Sequence, residues 1–461
     1  RLSRKRGRPK TGIVHLGLGA FFRAHGAIYV KEAMEKSGGD WGVLGVSLKS
    51  AAVRDLLAPQ DCLYTAVEMS ENGIRPQVID VVSEVLVAPE NPEAVLREMA
   101  SEHTRIVSLT ITEKGYCRRA DGATLDLNHP DILHDRTNAL PRSAVGYITR
   151  ALDIRRKRGL RPFTVMSLDN LPENGRITEQ VVKDLATSID ADLADWITRE
   201  CKFPSTMVDR IVPATTQAAI ERLAVETGIF DSAAVMHEPF RQWVVEDQFV
   251  DDARPHFGRV GVQLVEDVKT FEQMKLRMLN GTHTAMAYIG SLSGHATVSD
   301  AINDPKIEAF LTAMLRDEII PSLRAPDGID LGNYATALIR RYHNPEIQHL
   351  LDQIATDGSQ KLRQRILDPL FENLTTGRPY GKLLIVVAAW IRFLKERSEG
   401  GRIVDPLAAQ LIHAIHESGD DTDPVRNILD LDHVFDGYPS RQILNDLTTT
   451  FRDMNQQFTK T

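Results

Sequence analysis

The segment Lys275-Leu276-Arg277-Met278-Leu279-Asn280-Gly281-Thr282-His283 puts a lysine, an amide and an imidazole within nine residues. The chain opens with Ile13-Val14-His15-Leu16-Gly17-Leu18-Gly19, an apolar run into a Gly-x-Gly turn. The pairing points to hydride chemistry on an alcohol, with lysine rather than zinc handling the proton. On a helix turning about 100° per residue, Glu272, Lys275 and His283 share a face, and Asn280 lies about 140° round from Lys275. An alcohol or carbonyl oxygen in front of that face meets a base, an amide donor and an imidazole. Taken alone, the same spacing also describes a solvated, charged face on a core helix, so the rest of the chain has to decide.

Holding such groups requires a scaffold, and the first half supplies alternating segments. Strand-like runs cover 12–18, 41–48, 76–87, 105–112, 163–168, 207–212, 233–236 and 260–265. Helical runs cover 21–37, 144–158 and 179–200. Strands separated by helices predict βαβ units and a mostly parallel, Rossmann-like α/β domain over 12–267. From 268 to 461 the pattern turns mainly α-helical, with helices over 271–292, 305–318, 334–340, 345–355, 382–397, 406–416 and 440–455. Turn signals such as Asn303-Asp304-Pro305 and Pro326-Asp327-Gly328 separate them. Residues 1–11 are strongly basic and too poor in apolar side chains to fold, which predicts a disordered tail.

A Gly-x-Gly turn between strand and helix lets backbone N–H groups approach a pyrophosphate, and the helix N-terminus adds partial positive charge. Gly17 and Gly19 fit that role. Phe21, Phe22 and Arg23 follow the turn and complete the predicted cofactor contacts, although Phe22 stands at the third position, where Gly or Ala is usual. Arg23 either neutralises phosphate or pairs at the surface. The second strand ends at Leu48-Lys49 with no acidic residue for the adenosine ribose, and Lys49 tolerates a 2′-phosphate.

The bulk properties exclude several classes. A net charge of −8 argues against a general nucleic-acid binder. No run of 18 apolar residues exists, so no membrane partner is predicted. The three cysteines are odd in number and far apart, which suits free thiols in a reducing cytoplasm. Neither Cys-x-x-Cys nor His-Glu-x-x-His occurs, and no metal site is predicted.

The run Ile13-Val14-His15-Leu16-Gly17-Leu18-Gly19-Ala20-Phe21-Phe22-Arg23-Ala24-His25 resembles the opening of the long-chain mannitol dehydrogenase family. Asp169-Asn170-Leu171-Pro172-Glu173-Asn174-Gly175, Met207-Val208-Asp209-Arg210, Glu238-Pro239-Phe240-Arg241-Gln242-Trp243 and the Lys275 segment resemble it too, in family order over nearly the whole chain. Within the family, Thr112-Glu113-Lys114-Gly115-Tyr116-Cys117 and Asp357-Gly358-Ser359-Gln360-Lys361-Leu362 are most similar to the fructuronate reductases, also called mannonate dehydrogenases.

The resemblance implies an NAD-dependent, metal-independent oxidoreductase, monomeric, with its substrate cleft between the domains. The implied reaction interconverts D-mannonate and D-fructuronate; a mannitol 2-dehydrogenase or related polyol activity is the alternative. Lys275 matches the family's general base, Asn170 and Asn280 its oxyanion-stabilising amides, and His283 a substrate-binding imidazole. Glu272 matches a carboxylate that helps proton exchange, and Asp209 and Lys361 match polar substrate contacts. A free lysine, with a pKa of about 10.4, is a poor base at neutral pH, and burial in a closed cleft is expected to lower it toward roughly 7–8. Amides stabilise a developing alkoxide without carrying charge. A uronate adds one carboxylate, and Lys114, just after the strand at 105–112, is the predicted cation for it, with Lys361 and Arg363 behind. Asn174 reads as a turn former beside Pro172 and Gly175. Four positions depart from the family: Phe22 replaces His, Leu168 replaces Cys, Arg363 replaces Pro, and Tyr342-His343 replaces Phe-Ser. Arg363 and His343 put the exact substrate in doubt.

Overall fold

The computed structural model describes residues 2–5, 7–119, 122, 124–416 and 423–457. The chain divides into two compact units, Arg1–Lys269 and Thr270–Thr461.

The first unit is built on five parallel strands: β1 (Thr11–Leu16), β2 (Gly42–Ser47), β5 (Val82–Val87), β6 (Ile106–Leu109) and β7 (Thr164–Ser167), in the order β5-β2-β1-β6-β7. Successive residues on a strand face opposite sides. Ile13, Val43 and Ile106 therefore enter one apolar cluster, and Val14, Leu44 and Val107 enter another. Helices cover both faces, which is why these strands read as continuous apolar runs. Strand order reverses at β1 and β6, and such switch points place a ligand crevice at the C-terminal strand ends.

The remaining strands form two small sheets. β3 (Tyr64–Ser70) pairs antiparallel with β4 (Gly73–Ile79) and parallel with β9 (Val235–His237). β10 (Gln242–Glu246) pairs antiparallel with β8 (Thr206–Asp209) and parallel with β11 (Gln263–Val265).

Several sequence expectations need correction. The run at 76–87 is not one strand: it is β4 and β5, which lie in different sheets. Pro76 fits because β4 is an edge strand, where a missing N–H is tolerated. The helix expected over 21–37 breaks at His25, whose φ of −132° is not helical, into Ala20–Ala24 and Gly26–Ser37. The helix expected over 179–200 is two, Asn174–Ile189 and Ala191–Glu200. They are split at Asp190, whose side chain accepts from Asp192 N. In the basic start, Arg4 donates to the carbonyls of Asp61 (3.0 Å), Asp80 (2.7 Å) and Val82 (2.5 Å), contacts that a disordered tail would not make.

The second unit is helical. Its longest helix, Gly381–Gly400, is buried from Leu383 to Leu394 on most of its faces. The buried Glu318 carboxylate caps its start, accepting from Lys382 N and Leu383 N at 2.8 Å each. The segment expected as a helix over 345–355 is helical only at Leu351–Ile354. Before that helix the chain turns and then extends at Leu350, with His349 O accepting from Val298 N at 2.9 Å. No helix among the described residues is long and apolar enough to cross a membrane.

Candidate active site

In the first unit the chemistry lies where β1, β2 and β6 end. Gly17 has φ +90°, and a Cβ there would sit 2.2 Å from Thr110 O, so the turn requires glycine. Gly19 differs: an added Cβ would meet only Gly17 O, at 3.8 Å. That open side faces a cavity of about 1040 Å³ whose lining includes Gly17, Gly19, Ser47, Lys49, Thr112 and Lys114. The space a side chain would fill at Gly19 is space that a pyrophosphate can use, so the residues present fit a dinucleotide.

Two buried networks lie beside this turn, and the first holds it. The Thr110 hydroxyl donates to Gly17 O at 2.6 Å, so Thr110 Oγ1 accepts from His15 Nε2–H at 2.9 Å. His15 Nδ1 then accepts from the Ser108 hydroxyl at 2.8 Å. Burial pushes His15 down to about 3, which keeps the ring neutral in that tautomer. The second network is centred on Asp169, at the end of β7. Its carboxylate accepts from Ile111 N (3.0 Å), Thr112 N (2.9 Å) and Tyr116 Oη (2.7 Å), which fixes the loop that carries Lys114.

The structure corrects the contacts predicted just after the turn. Phe22 is in the core, its ring stacked on His15 at 3.5 Å between centroids. Phe21 stacks on His25 at 5.1 Å. Arg23 is buried, donates to Ala233 O at 2.6 Å, and lies over the Tyr64 ring. None of the three lines the cavity. Phe22 and Arg23 turn inward, and Phe21 is half-buried.

Asn170 follows Asp169 and is exposed. Asp209, the last residue of β8, is buried and paired in register with Gln242. Asn174 is no turn former. It is fully buried, donates to Asp169 O and Thr206 O at 2.9 Å each, and accepts from Thr206 N, so it ties β7 to β8.

In the second unit Glu272, Lys275, Asn280 and His283 are all buried, at 7–8% exposure. They lie on one continuous helical run, but Lys275–Asn280 is a π-helical turn between Lys269–Met274 and Gly281–Ala285. A π turn closes i→i+5 bonds. Residues five apart are then related as residues four apart are in an α-helix, so Asn280 returns toward the side of Lys275. The about 140° separation expected from an α-helical period is overturned. Arg277 points away from the pair, to a two-pronged ion pair with Glu372, 2.6 Å for each bond. Gly281 allows close approach of a neighbouring segment: a Cβ there would lie 3.1 Å from Arg365 O.

His283 is packed among Tyr342 (4.9 Å) and His349 (5.3 Å), centroid to centroid, and its Nε2 is buried without a hydrogen-bond partner among the described residues. Burial holds it well below its ordinary value, reinforced by electrostatic repulsion against His349, Arg341, Arg365 and Lys275. It is therefore a neutral imidazole with one free ring nitrogen. Tyr342 Oη bonds Thr282 Oγ1 at 2.6 Å, one residue before His283, and so steadies the helix there.

The other predicted cations are occupied. Lys361 donates to Thr356 O at 2.6 Å, and burial lowers its pKa. Arg363 donates to Asp436 O at 2.8 Å and stacks on Tyr438. His343, one of the departures from the family pattern, bonds Asn303 Oδ1 at 2.9 Å. Lys114, by contrast, is exposed on the cavity wall of the first unit. Sequence reasoning gave no role to Asp169, His15, His349 and Arg365. Arg365 donates to Thr284 Oγ1 at 3.3 Å and burial pushes it down to about 10, still charged at neutral pH. The first two stood inside quoted motifs; nothing in the local pattern marked the last two. No cluster of three or more possible metal-ligating side chains occurs among the described residues.

Residues 11–258 match the mannitol dehydrogenase Rossmann domain, and residues 267–455 match the mannitol dehydrogenase C-terminal domain. The chain is 44% identical to the D-mannonate oxidoreductase of Escherichia coli over 93% of its own length and 89% of the relative's. It is 40% identical to a mannitol 2-dehydrogenase of Aspergillus fumigatus, over 98% of this chain and 92% of the other. Among solved structures it is similar to the Pseudomonas fluorescens mannitol 2-dehydrogenase in ternary complex with NAD and D-mannitol, with TM-score 0.85 and 36% identity over 97% of this chain and 92% of that one. It is also similar to a D-sorbitol dehydrogenase in substrate-free form, with TM-score 0.89 and 32% identity over 97% and 94% of the two chains.

Proposed function

The chain belongs to the mannitol dehydrogenase family and is a dehydrogenase, and on that premise we propose that it interconverts D-mannonate and D-fructuronate with NAD. The observation that carries the substrate choice is the 44% identity to a D-mannonate oxidoreductase over 93% of the chain. A relative of 40% identity is a mannitol 2-dehydrogenase, so a neutral polyol is the second reading.

A bound nicotinamide dinucleotide would supply the hydride acceptor for the alcohol carbon, and the hydride donor in reduction. The Gly17–Gly19 turn would hold the pyrophosphate, and Lys114 is the proposed cation for the substrate carboxylate. Lys275 takes the hydroxyl proton at its Nζ, as general base, and gives it back in reduction. Asn170 and Asn280 donate amide N–H bonds to the developing alkoxide, which neutral donors stabilise without a metal. His283 offers its unpartnered Nε2 to a substrate hydroxyl. Glu272 passes the proton onward from Lys275, and Asp209 and Lys361 hold further hydroxyls. Support for these roles is the burial of Glu272, Lys275, Asn280 and His283 on one helical run whose π turn gathers the base and the amide.

The test is NADH oxidation with fructuronate, tagaturonate and fructose in parallel. The expected result is fastest turnover with fructuronate. Preference for fructose would replace the uronate reading with the polyol one.

A further inference from the structure

We propose that the cavity at the end of β2 takes a 2′-phosphorylated nicotinamide dinucleotide as well as the unphosphorylated one, with Lys49 meeting the 2′-phosphate. In a doubly wound sheet the residue after the second strand reads the adenosine ribose. A carboxylate there hydrogen-bonds the 2′-hydroxyl, and a cation accommodates a 2′-phosphate.

β2 ends in Ser47-Leu48-Lys49-Ser50, and all four residues line the cavity that contains Gly17 and Gly19. None is acidic. The single carboxylate among the described lining residues is Asp131, on the helix Pro130–Thr137 rather than after β2. Glu90, after the neighbouring strand β5, is off the lining and ion-paired to Arg54. Nothing at the end of β2 therefore repels a phosphate.

Lys49 is exposed, and no hydrogen bond or ion pair joins its ammonium to another described residue. It can turn to a phosphate without breaking an existing contact, and Ser50 beside it adds a hydroxyl donor. A charge-assisted contact of this kind is worth roughly ten- to a hundredfold in affinity.

The inference rests on the reading of this cavity as the dinucleotide site, so the experiment tests the two separately. NADH and NADPH are titrated by fluorescence into the full-length wild-type protein, Lys49→Ala and Lys49→Asp. The expected wild-type result is NADPH binding within roughly tenfold of NADH. Lys49→Ala then weakens NADPH by roughly ten- to a hundredfold, and Lys49→Asp by more, while both keep NADH affinity within roughly threefold. NADH retention also shows that each variant is folded. NADH binding with NADPH excluded from wild type overturns the inference and leaves the cofactor reading intact. Equal weakening of both dinucleotides overturns it too, because Lys49 would then read a group they share. Binding of neither overturns both readings.

Discussion

The turn at Gly17–Gly19 and the helical run at Lys275–His283 solve opposite problems. The turn works through what its residues lack: a Cβ at Gly17 would strike Thr110 O at 2.2 Å, and Gly19 leaves its side of the cavity open. It is braced from behind by the neutral His15, through the Thr110 hydroxyl that donates to Gly17 O. The helical run works through what it carries, buried polar side chains that include Lys275, Asn280 and His283, whose directions depend on one widened turn. One region is proposed to bind by shape and main chain; the other is proposed to react by side chains. Substitutions should therefore separate binding from turnover according to region.

The largest separation is expected at Lys275. Lys275→Ala should lower turnover by roughly 10²–10⁴-fold, the effect of losing a general base. Steady-state NADH oxidation with fructuronate measures it, and near wild-type turnover would remove lysine from the mechanism. Asn280→Ala and Asn170→Ala come next, each at roughly 10²–10³-fold in turnover by analogy with one oxyanion donor. A variant that lost only NADH affinity would belong with the turn instead.

Lys114 sharpens the comparison because it lines the cavity of the first unit. If it reads the substrate carboxylate, Lys114→Met raises KM for fructuronate by roughly ten- to a hundredfold and changes KM for fructose far less. If NADH affinity falls instead and the substrate ratio holds, Lys114 serves the dinucleotide.

The smallest effect concerns the bracing of the turn. His15 titrates near 6.5 when unfolded but at about 3 in the fold, because burial disfavours its charge. The unfolded chain therefore binds more protons between those values, and stability falls as pH drops below about 6.5. His15→Gln supplies the same donor to Thr110 and acceptor to Ser108 without titrating. It should remove up to about 1.4 kcal/mol per pH unit from the slope of unfolding free energy, read by urea titration between about pH 6.5 and about pH 5. An unchanged slope would mean that His15 is not held neutral.

The two regions also differed in how legible they were. The βαβ alternation was plain because buried parallel strands are uninterrupted apolar runs, and the Gly-x-Gly turn was plain because positive φ selects glycine. The side chains after the turn were misplaced: Phe22 and Arg23 are buried in the packed interior, and Phe21 is half-buried against His25. β3 was missed although Asn72-Gly73 marks the hairpin that follows it. In the helical unit Lys275 and His283 stood out by type, but the return of Asn280 toward Lys275 was hidden. A π turn is set by packing, and no 3.6-residue period reports it. His349 and Arg365 come to the site from segments with no distinctive local pattern. The roles of Lys361 and Arg363 as carboxylate readers weakened once their backbone partners, Thr356 O and Asp436 O, were visible.

The most direct test of the division between a binding turn and a reacting helix is the NADH dissociation constant of the Lys275→Ala protein, by fluorescence titration. The account predicts a value within roughly threefold of wild type alongside the collapse in turnover. A loss of NADH affinity as large as the loss of turnover would contradict it.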